Sequence, residues 1–160
     1  MIATIEGWYE RLDDSVRTRI FGAGTALPAS AVIALAAWLT PADAGVGTHR
    51  QLGLAPCTML AATGWPCPMC GMTTTFALLA HGRPLDALLN QPFGPVLFAV
   101  TCLAAALGWT DVLVARGALA YAFRWLRPRE GRIATGMLVG MLAGWAYKAA
   151  SMHPEVWGGP

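Results

Sequence analysis

The sequence contains little charge and almost no lysine. Only 12% of its 160 residues are charged, 56% are hydrophobic, and the mean hydropathy is +0.49. An ordinary soluble domain carries about twice that share of charged residues, so the composition indicates a membrane protein. The basic residues are arginines and Lys148, and the arginines lie at the ends of apolar segments. The net charge of +2 therefore gives no indication of nucleic-acid binding.

Several patterns typical of enzymes and transporters are also missing. The chain has no Ser/His/Asp arrangement, no phosphate-binding loop and no pair of carboxylates. The residue after Cys70 is Gly71, which excludes a haem-attachment CxxCH motif. The apolar segments contain no series of acids, and this argues against a proton or ion pathway. These absences favour a non-transporting protein, and they leave the cysteines as the candidates for chemistry.

Three apolar segments are long enough to cross a bilayer as helices. Residues 20–39 are uncharged over twenty positions, which corresponds to about 30 Å of helix. Residues 93–114 and 133–152 are the second and third segments. We therefore predict an all-α integral membrane protein with three transmembrane helices. A cleaved signal peptide is the alternative for the first segment, because Ala42-Asp43-Ala44 resembles a cleavage site, but the apolar run is longer than usual.

Two of these segments carry small residues at every fourth position. The third segment has Gly136, Gly140 and Gly144 on one face, and the first has a similar stripe of Gly22, Ala26, Ser30 and Ala34. Small residues allow helix backbones to approach closely within a membrane. The glycine face of the third segment therefore predicts a helix partner, either in the same chain or in another membrane subunit.

The distribution of arginine predicts the orientation. Five arginines lie in residues 115–132 and three in residues 1–19, against two in residues 40–92. Segments rich in arginine remain in the cytoplasm. We therefore predict a protein of the bacterial inner membrane with 1–19 and 115–132 inside, and with 40–92 and the tail 153–160 outside. Tyr121, Phe123 and Trp125 among these arginines further predict an interfacial helix on anionic headgroups.

The most distinctive stretch is Cys67-Pro68-Met69-Cys70-Gly71, with Cys57 just upstream. Cys67 at an N-cap and proline at the first helical position predict a helix over 68–81. This helix is about 21 Å long, shorter than the hydrocarbon core, so we expect a re-entrant or interfacial helix. Its unpaired amides would favour a thiolate at Cys67.

This segment resembles a family of small bacterial membrane proteins of unknown function. The family motif is a cysteine, nine residues, Cys-Pro-x-Cys-Gly-x-Thr, a short apolar helix and an Asn-Pro. The resemblance extends from Cys57 to Gly94 and rests on Cys57, Thr63, Gly64, Cys67, Pro68, Cys70, Gly71, Thr73, His81, Gly82 and Pro92. The chain departs from the motif at Thr74, which is often arginine, and at Gln91, which follows Asn90. The resemblance implies a membrane location and no particular reaction.

Three interpretations of Cys57, Cys67 and Cys70 remain open. The first is thiol-disulfide exchange by the CxxC pair. The second is a static disulfide from Cys57 to Cys67 or Cys70, which would fix the loop as a structural element. The third is a zinc or copper site with three sulfur ligands. His81 lies about 16 Å along the helix from Cys70, too far to complete such a site.

Taken together, the sequence predicts a non-transporting accessory or structural membrane subunit with an externally facing three-cysteine site and no cofactor. A membrane thiol oxidoreductase and a zinc- or copper-binding protein are the alternatives. Other polar or reactive residues have structural explanations. We expect Cys102 to be a small buried hydrophobe, Lys148 to reach the interface or pair with an acid, and Thr73 to Thr75 to bond backbone within their own helix.

Overall fold

The computed structural model describes residues 12–157, and the regular elements in this range are all helical. They are α1 (Asp14–Trp38), a 3-10 turn (Thr48–Leu52), α2 (Thr58–Thr63), α3 (Met72–Ala80), α4 (Pro84–Asn90), α5 (Gly94–Val114), α6 (Ala118–Leu126), a second 3-10 turn (Arg127–Arg129), α7 (Glu130–Met152) and a third (Pro154–Trp157). The predicted all-α class is confirmed. Most of the predicted cytoplasmic segment 1–19, and the last three residues of the tail, lie outside the described range.

Two described helices, α1 and α5, are long and apolar enough to cross a membrane. Their most apolar stretches have mean hydropathies of 1.8 and 1.9. They correspond to the predicted spans 20–39 and 93–114. The third predicted span, 133–152, forms a helix, α7. This helix contains Lys148, whose charge lowers its mean hydropathy. α7 is not one of the two helices that are apolar enough to cross a membrane. Three transmembrane helices are therefore not confirmed.

The apolar side chains of α1 and α5 are largely exposed. Only 22% and 17% of the residues in their apolar stretches are buried. Trp38 is 70% exposed and Leu113 is 69% exposed. Exposing so much apolar surface to water is unfavourable by about 25 cal/mol per Å², whereas contact with lipid tails removes that penalty. These helices therefore do not resemble the core helices of a soluble protein.

The chain divides into two compact units, and the first contains residues 1–31 and 101–130. Within its described part, α1 and α5 approach closely at Gly22 and Gly108. A Cβ at Gly108 would lie 2.8 Å from the Gly22 carbonyl oxygen and 2.8 Å from the Ala26 nitrogen. Further along, Trp109 Nε1 donates a hydrogen bond to Ser30 Oγ at 3.0 Å. The small residues of α1 thus form the contact with α5.

In the same unit, a buried carboxylate holds the basic helix α6. Asp111 is 1% exposed, and its oxygens accept hydrogen bonds from the backbone N–H groups of Ala118 at 2.6 Å and Leu119 at 3.0 Å. These are the first amides of α6, which have no partner inside the helix. The ring of Phe123 on α6 also contacts Phe21, with centroids 5.9 Å apart.

The second unit contains residues 32–100 and 131–160, with α3 among its most buried elements. Thr74 Oγ1 lies 2.8 Å from Thr48 Oγ1 of the first 3-10 turn. Thr75 Oγ1 accepts a hydrogen bond from Asn90 Nδ2 at 2.9 Å. The expectation that these threonines bond their own helix is therefore wrong for Thr74 and Thr75. Their hydroxyls join α3 to its neighbours instead.

The predicted helix 68–81 begins four residues later than expected. Gly71 has φ +85°, which favours glycine and excludes a helix continuous with the CPxC stretch. Residues 68–71 form a turn, and α3 begins at Met72 and ends at Ala80. Nine residues of helix extend about 14 Å, so α3 is short, as expected. The segment around 85–89 forms the further short helix α4.

The glycine face of α7 contacts the segment before α5. A Cβ at Gly140 would lie 2.8 Å from the Phe93 ring, and one at Gly144 would meet the side chains of Gln91 and Phe93. Nothing lies within 4 Å of such an atom at Gly136. Two of the three glycines are therefore covered by a turn of the same unit, and the predicted helix partner remains a prediction.

Replacing Gly108 and Gly24 with alanine tests the close approach of α1 and α5. Gly108→Ala should lower the melting temperature, because overpacking a tight contact destabilises by about 1–3 kcal/mol. Gly24→Ala should raise it slightly, because no atom lies within 4 Å and alanine is favoured in helices by up to about 1 kcal/mol. Thermal unfolding of the detergent-solubilised protein measures both. Shifts of the same sign would contradict the contact.

Candidate functional site

The three sulfurs of Cys57, Cys67 and Cys70 lie within 4.8 Å of one another. Cys70 Sγ donates a hydrogen bond to Cys57 Sγ at 3.5 Å. All four cysteines of the chain are free thiols in this structure, so the predicted static disulfide is not supported. The fourth, Cys102, is only half-buried, in contrast to the expected buried position. The structure therefore brings together the three cysteines that the motif singled out.

A tight turn places the thiols of Cys67 and Cys70 on the same side. The backbone N–H of Cys70 donates to the Cys67 carbonyl oxygen at 2.9 Å, and that of Cys67 donates to Cys70 Sγ at 3.2 Å. The predicted position of Cys67 at a helix N-cap is wrong, because the helix begins at Met72 and Gly71 is its N-cap. Pro68 in the turn favours this geometry through its fixed φ.

Trp145 of α7 and His153, which follows α7, hold the segment that leads into Cys67. Trp145 Nε1 donates a hydrogen bond to the Pro66 carbonyl oxygen at 2.7 Å. His153 Nε2 lies 3.0 Å from the Gly64 carbonyl oxygen, and its ring stacks on Trp65 with centroids 4.5 Å apart. His153 thus fixes the backbone between Cys57 and Cys67. It is not one of the residues grouped around the sulfurs.

A buried network fixes the other side of the turn. Asn90 Nδ2 donates to the Gly71 carbonyl oxygen at 3.1 Å and to Thr75 Oγ1 at 2.9 Å. Asn90 Oδ1 accepts a hydrogen bond from Lys148 Nζ at 2.7 Å, and the Gly45 carbonyl oxygen accepts another from Nζ at 3.3 Å. Lys148 is 5% exposed. The expectation that it reaches the interface or pairs with an acid is wrong.

The thiols of Cys57 and Cys70 differ in acidity. The backbone N–H of Leu60 lowers the pKa of Cys57 from 9.0 to about 7, and the neighbouring thiols add to this effect. Burial raises the pKa of Cys70 to about 12. Cys57 is the N-cap residue of α2. The sequence predicted this kind of position, next to the free amides of a helix, for Cys67. Cys57, the more acidic thiol, accepts the hydrogen bond that Cys70 donates.

A cavity of about 440 Å³ lies beside the sulfurs. Its wall includes the three cysteines together with His49, Arg50, Met69 and Thr73. His49 Nε2 lies 3.2 Å from the Ala55 carbonyl oxygen, so its ring is close to the cluster without belonging to it. No local pattern in the sequence places His49 or Arg50 at the cysteines. The 3-10 turn that carries both reaches the site through tertiary packing.

His81, the histidine that the sequence placed too far from Cys70 to be a metal ligand, lies at the end of α3. Its Nδ1 is 2.8 Å from the Ala77 carbonyl oxygen, one turn earlier in the same helix. It is not among the residues that line the cavity. The exclusion of His81 from a metal site, based on its distance along the helix, agrees with this placement.

The sulfur geometry is suited to a metal ion. A tetrahedral zinc ion with bonds of about 2.3 Å separates its sulfur ligands by about 3.8 Å. The 3.5 Å between Cys70 Sγ and Cys57 Sγ, and the limit of 4.8 Å on all three separations, require sulfur shifts of about an ångström or less. Thiolates favour zinc and monovalent copper among biological metals. The cluster supplies three ligands, and the cavity gives access to a fourth position.

Residues 57–105 match the family described as "Protein of unknown function (DUF2752)". The match confirms the resemblance predicted from the cysteine motif. Comparisons with curated proteins and with solved structures give no significant match. The matched segment contains the three cysteines and Asn90, whereas His49, Arg50 and Lys148 lie outside it. The residues around the cluster thus come from both within and beyond the matched segment.

Alkylation across a range of pH tests which thiol is the acidic one. Cys57 should react first, with a rate that rises through about pH 7, because only the thiolate is nucleophilic. Mass spectrometry after short exposure to iodoacetamide identifies the modified residue. Cys57→Ala should abolish this fast phase, and Cys102→Ala should retain it. Faster labelling of Cys70 at neutral pH would contradict the assignment.

Proposed function

We propose that the protein is a non-transporting membrane protein whose three-cysteine cluster binds a thiophilic metal ion, zinc or copper, on the external face. The observation that carries the proposal is the convergence of three free thiols within 4.8 Å. Three sulfurs at this separation match a metal site more closely than a single disulfide, which would use two of them. The role of accessory or structural subunit fits such a site, because a bound ion would stabilise the loop.

Metal binding and proton release are coupled at this site. Cysteine binds metal as the thiolate, so an incoming ion displaces the protons of any thiols still protonated. Cys57, with a pKa of about 7, is already partly ionised at neutral pH, whereas the pKa of Cys70 is about 12. Affinity should therefore rise with pH.

Metal analysis of purified variants tests the proposal. The wild type should contain one zinc or copper ion per chain, and each of Cys57→Ala, Cys67→Ala and Cys70→Ala should lose most of it. Cys102→Ala is the matched control and should keep its metal. Inductively coupled plasma mass spectrometry gives the stoichiometry, and cobalt substitution reports thiolate ligation through its charge-transfer absorption. Equal metal content in all five proteins would refute the proposed site.

Thiol-disulfide exchange is the second candidate, favoured by the acidic Cys57 beside Cys70. The Cys57 thiolate would attack a disulfide of an external protein, giving a mixed disulfide and releasing one partner thiolate. Deprotonated Cys70 would then attack Cys57 Sγ and release the second partner thiolate. The Cys57–Cys70 pair is oxidised and the partner reduced, so the electrons balance. Thiols that cycle under mild reductant favour exchange, whereas thiols unmasked only by a chelator favour the metal.

The proposed topology has three crossings, formed by α1, α5 and α7. The exposed apolar side chains of α1 and α5 support two of them. α7 adds an exposed apolar surface of its own, which includes Leu138, Val139 and Leu142. The arginine distribution supports a cytoplasmic N-terminus and an external loop 40–92 in the bacterial inner membrane. Gly136, which has no neighbour within 4 Å, is the part of the glycine face available to a helix partner.

Labelling with a membrane-impermeant maleimide tests this topology. In intact spheroplasts, Cys57 should be labelled when it is the only cysteine of the chain. Ala120→Cys, on exposed α6, should be labelled only after the membrane is permeabilised. The cysteine-free chain is the control for background. Labelling of Ala120→Cys from outside, or protection of Cys57, would contradict the orientation.

A further inference from the structure

Lys148 is a buried cation with neutral hydrogen-bond partners. It is the only lysine of the chain, and it is 5% exposed. Its Nζ donates to the Asn90 amide oxygen and to the Gly45 carbonyl oxygen. The ion pairs among the described residues are Arg17–Asp14, Arg83–Asp86 and His153–Glu155. A buried ammonium with no anion nearby is unfavourable, so its position requires an explanation.

The cysteine cluster lies next to this cation. A Cβ on Gly71 would lie 3.3 Å from Lys148 Cε, and Gly71 directly follows Cys70. Asn90 connects the two, since it accepts a hydrogen bond from Nζ and donates one to the Gly71 carbonyl oxygen. Once a metal ion has displaced the thiol protons, the anion that balances Lys148 is therefore the thiolate cluster beside it.

Charge balance distinguishes the metals that such a cluster can hold. Three thiolates carry a charge of −3, so a divalent ion leaves −1 and a monovalent ion leaves −2. The buried Lys148 alone neutralises the divalent centre completely and the monovalent centre only in part. Arg50 on the cavity wall is exposed, so water and salt screen its charge. Because uncompensated charge beside the buried Cys70 is unfavourable, Lys148 favours the divalent ion.

We propose that Lys148 is the counter-charge of a divalent metal centre formed by Cys57, Cys67 and Cys70, and that it selects zinc over monovalent copper. The inference rests on the proposed metal-binding function. Lys148 is a positioning residue, because its ammonium acts on the ligands and does not bind the ion. Asn90 keeps the ammonium beneath the turn by holding both Nζ and the Gly71 carbonyl.

Three variants of the full-length detergent-solubilised protein test the inference. Lys148→Met removes the charge and the hydrogen bonds, whereas Lys148→Gln removes the charge and keeps an amide donor. Tyr147→Phe is the matched control, because its hydroxyl donates to the Leu89 carbonyl oxygen at 2.8 Å and ties the same helix to α4 without charge. Competition with chromophoric chelators measures the affinity for zinc and for monovalent copper.

Both Lys148 variants should bind zinc roughly 10- to 100-fold more weakly, the usual effect of losing a partner of metal ligands. Their zinc-to-copper preference should fall, and Tyr147→Phe should leave the affinity and the preference unchanged. Thermal unfolding of the metal-free protein provides a second readout. Lys148→Gln should be at least as stable as the wild type, since it removes a buried cation whose counter-charge is absent and keeps an amide donor for the network. If Lys148 served only the fold, its replacement would instead lower this stability.

Each other outcome has a definite meaning. Wild-type zinc affinity in Lys148→Gln would overturn the inference while the metal site itself stands. An equal loss of affinity in Tyr147→Phe would also overturn the inference. The attachment of α7 to α4, and not the charge of Lys148, would then determine the affinity. Reduced stability of metal-free Lys148→Gln would assign the lysine to the fold. Absence of metal binding in the wild type would refute the proposed function and the inference with it.

Discussion

A single side-chain amide, Asn90, connects the cysteine turn to the rest of its unit. It donates to the Gly71 carbonyl and to Thr75, and it accepts from Lys148. Side chains at Gly45 or Gly71 would collide with this network, so both positions require glycine for space as well as for their positive φ. The network holds the Gly71 side of the turn, while Trp145 holds the Pro66 side.

The same arrangement gives neighbouring thiols different properties. Cys57 lies at the start of α2, where the Leu60 amide favours its thiolate, while Cys70 is buried against the turn and favours the neutral form. A metal ion overcomes this difference because it replaces the protons of all its ligands. The cavity bounded by His49 and Arg50 leaves one side of the sulfurs open to an incoming ion or ligand. The site combines a fixed backbone with an accessible face.

The sequence predicted the features that depend on local composition and failed where distant contacts decide. The apolar runs predicted α1 and α5, and the cysteine motif predicted the residues of the cluster. The start of α3 was misplaced because proline after Cys67 is compatible with a turn as well as with a helix, and the positive φ of Gly71 selects the turn. The acidic thiol was therefore assigned to Cys67 and not to Cys57. Lys148 bonds Gly45, 103 residues away, and no local pattern predicts such a contact.

X-ray absorption at the zinc edge tests the central claim most directly, because it reports the atoms bound to the metal. The spectrum of the purified, zinc-loaded protein should show three sulfur neighbours at about 2.3 Å and one lighter neighbour. The Cys57→Ala variant should show fewer sulfurs if it retains zinc at all. Zinc bound only by nitrogen and oxygen in the wild type would contradict the account, because the three converging thiols would then not be the site.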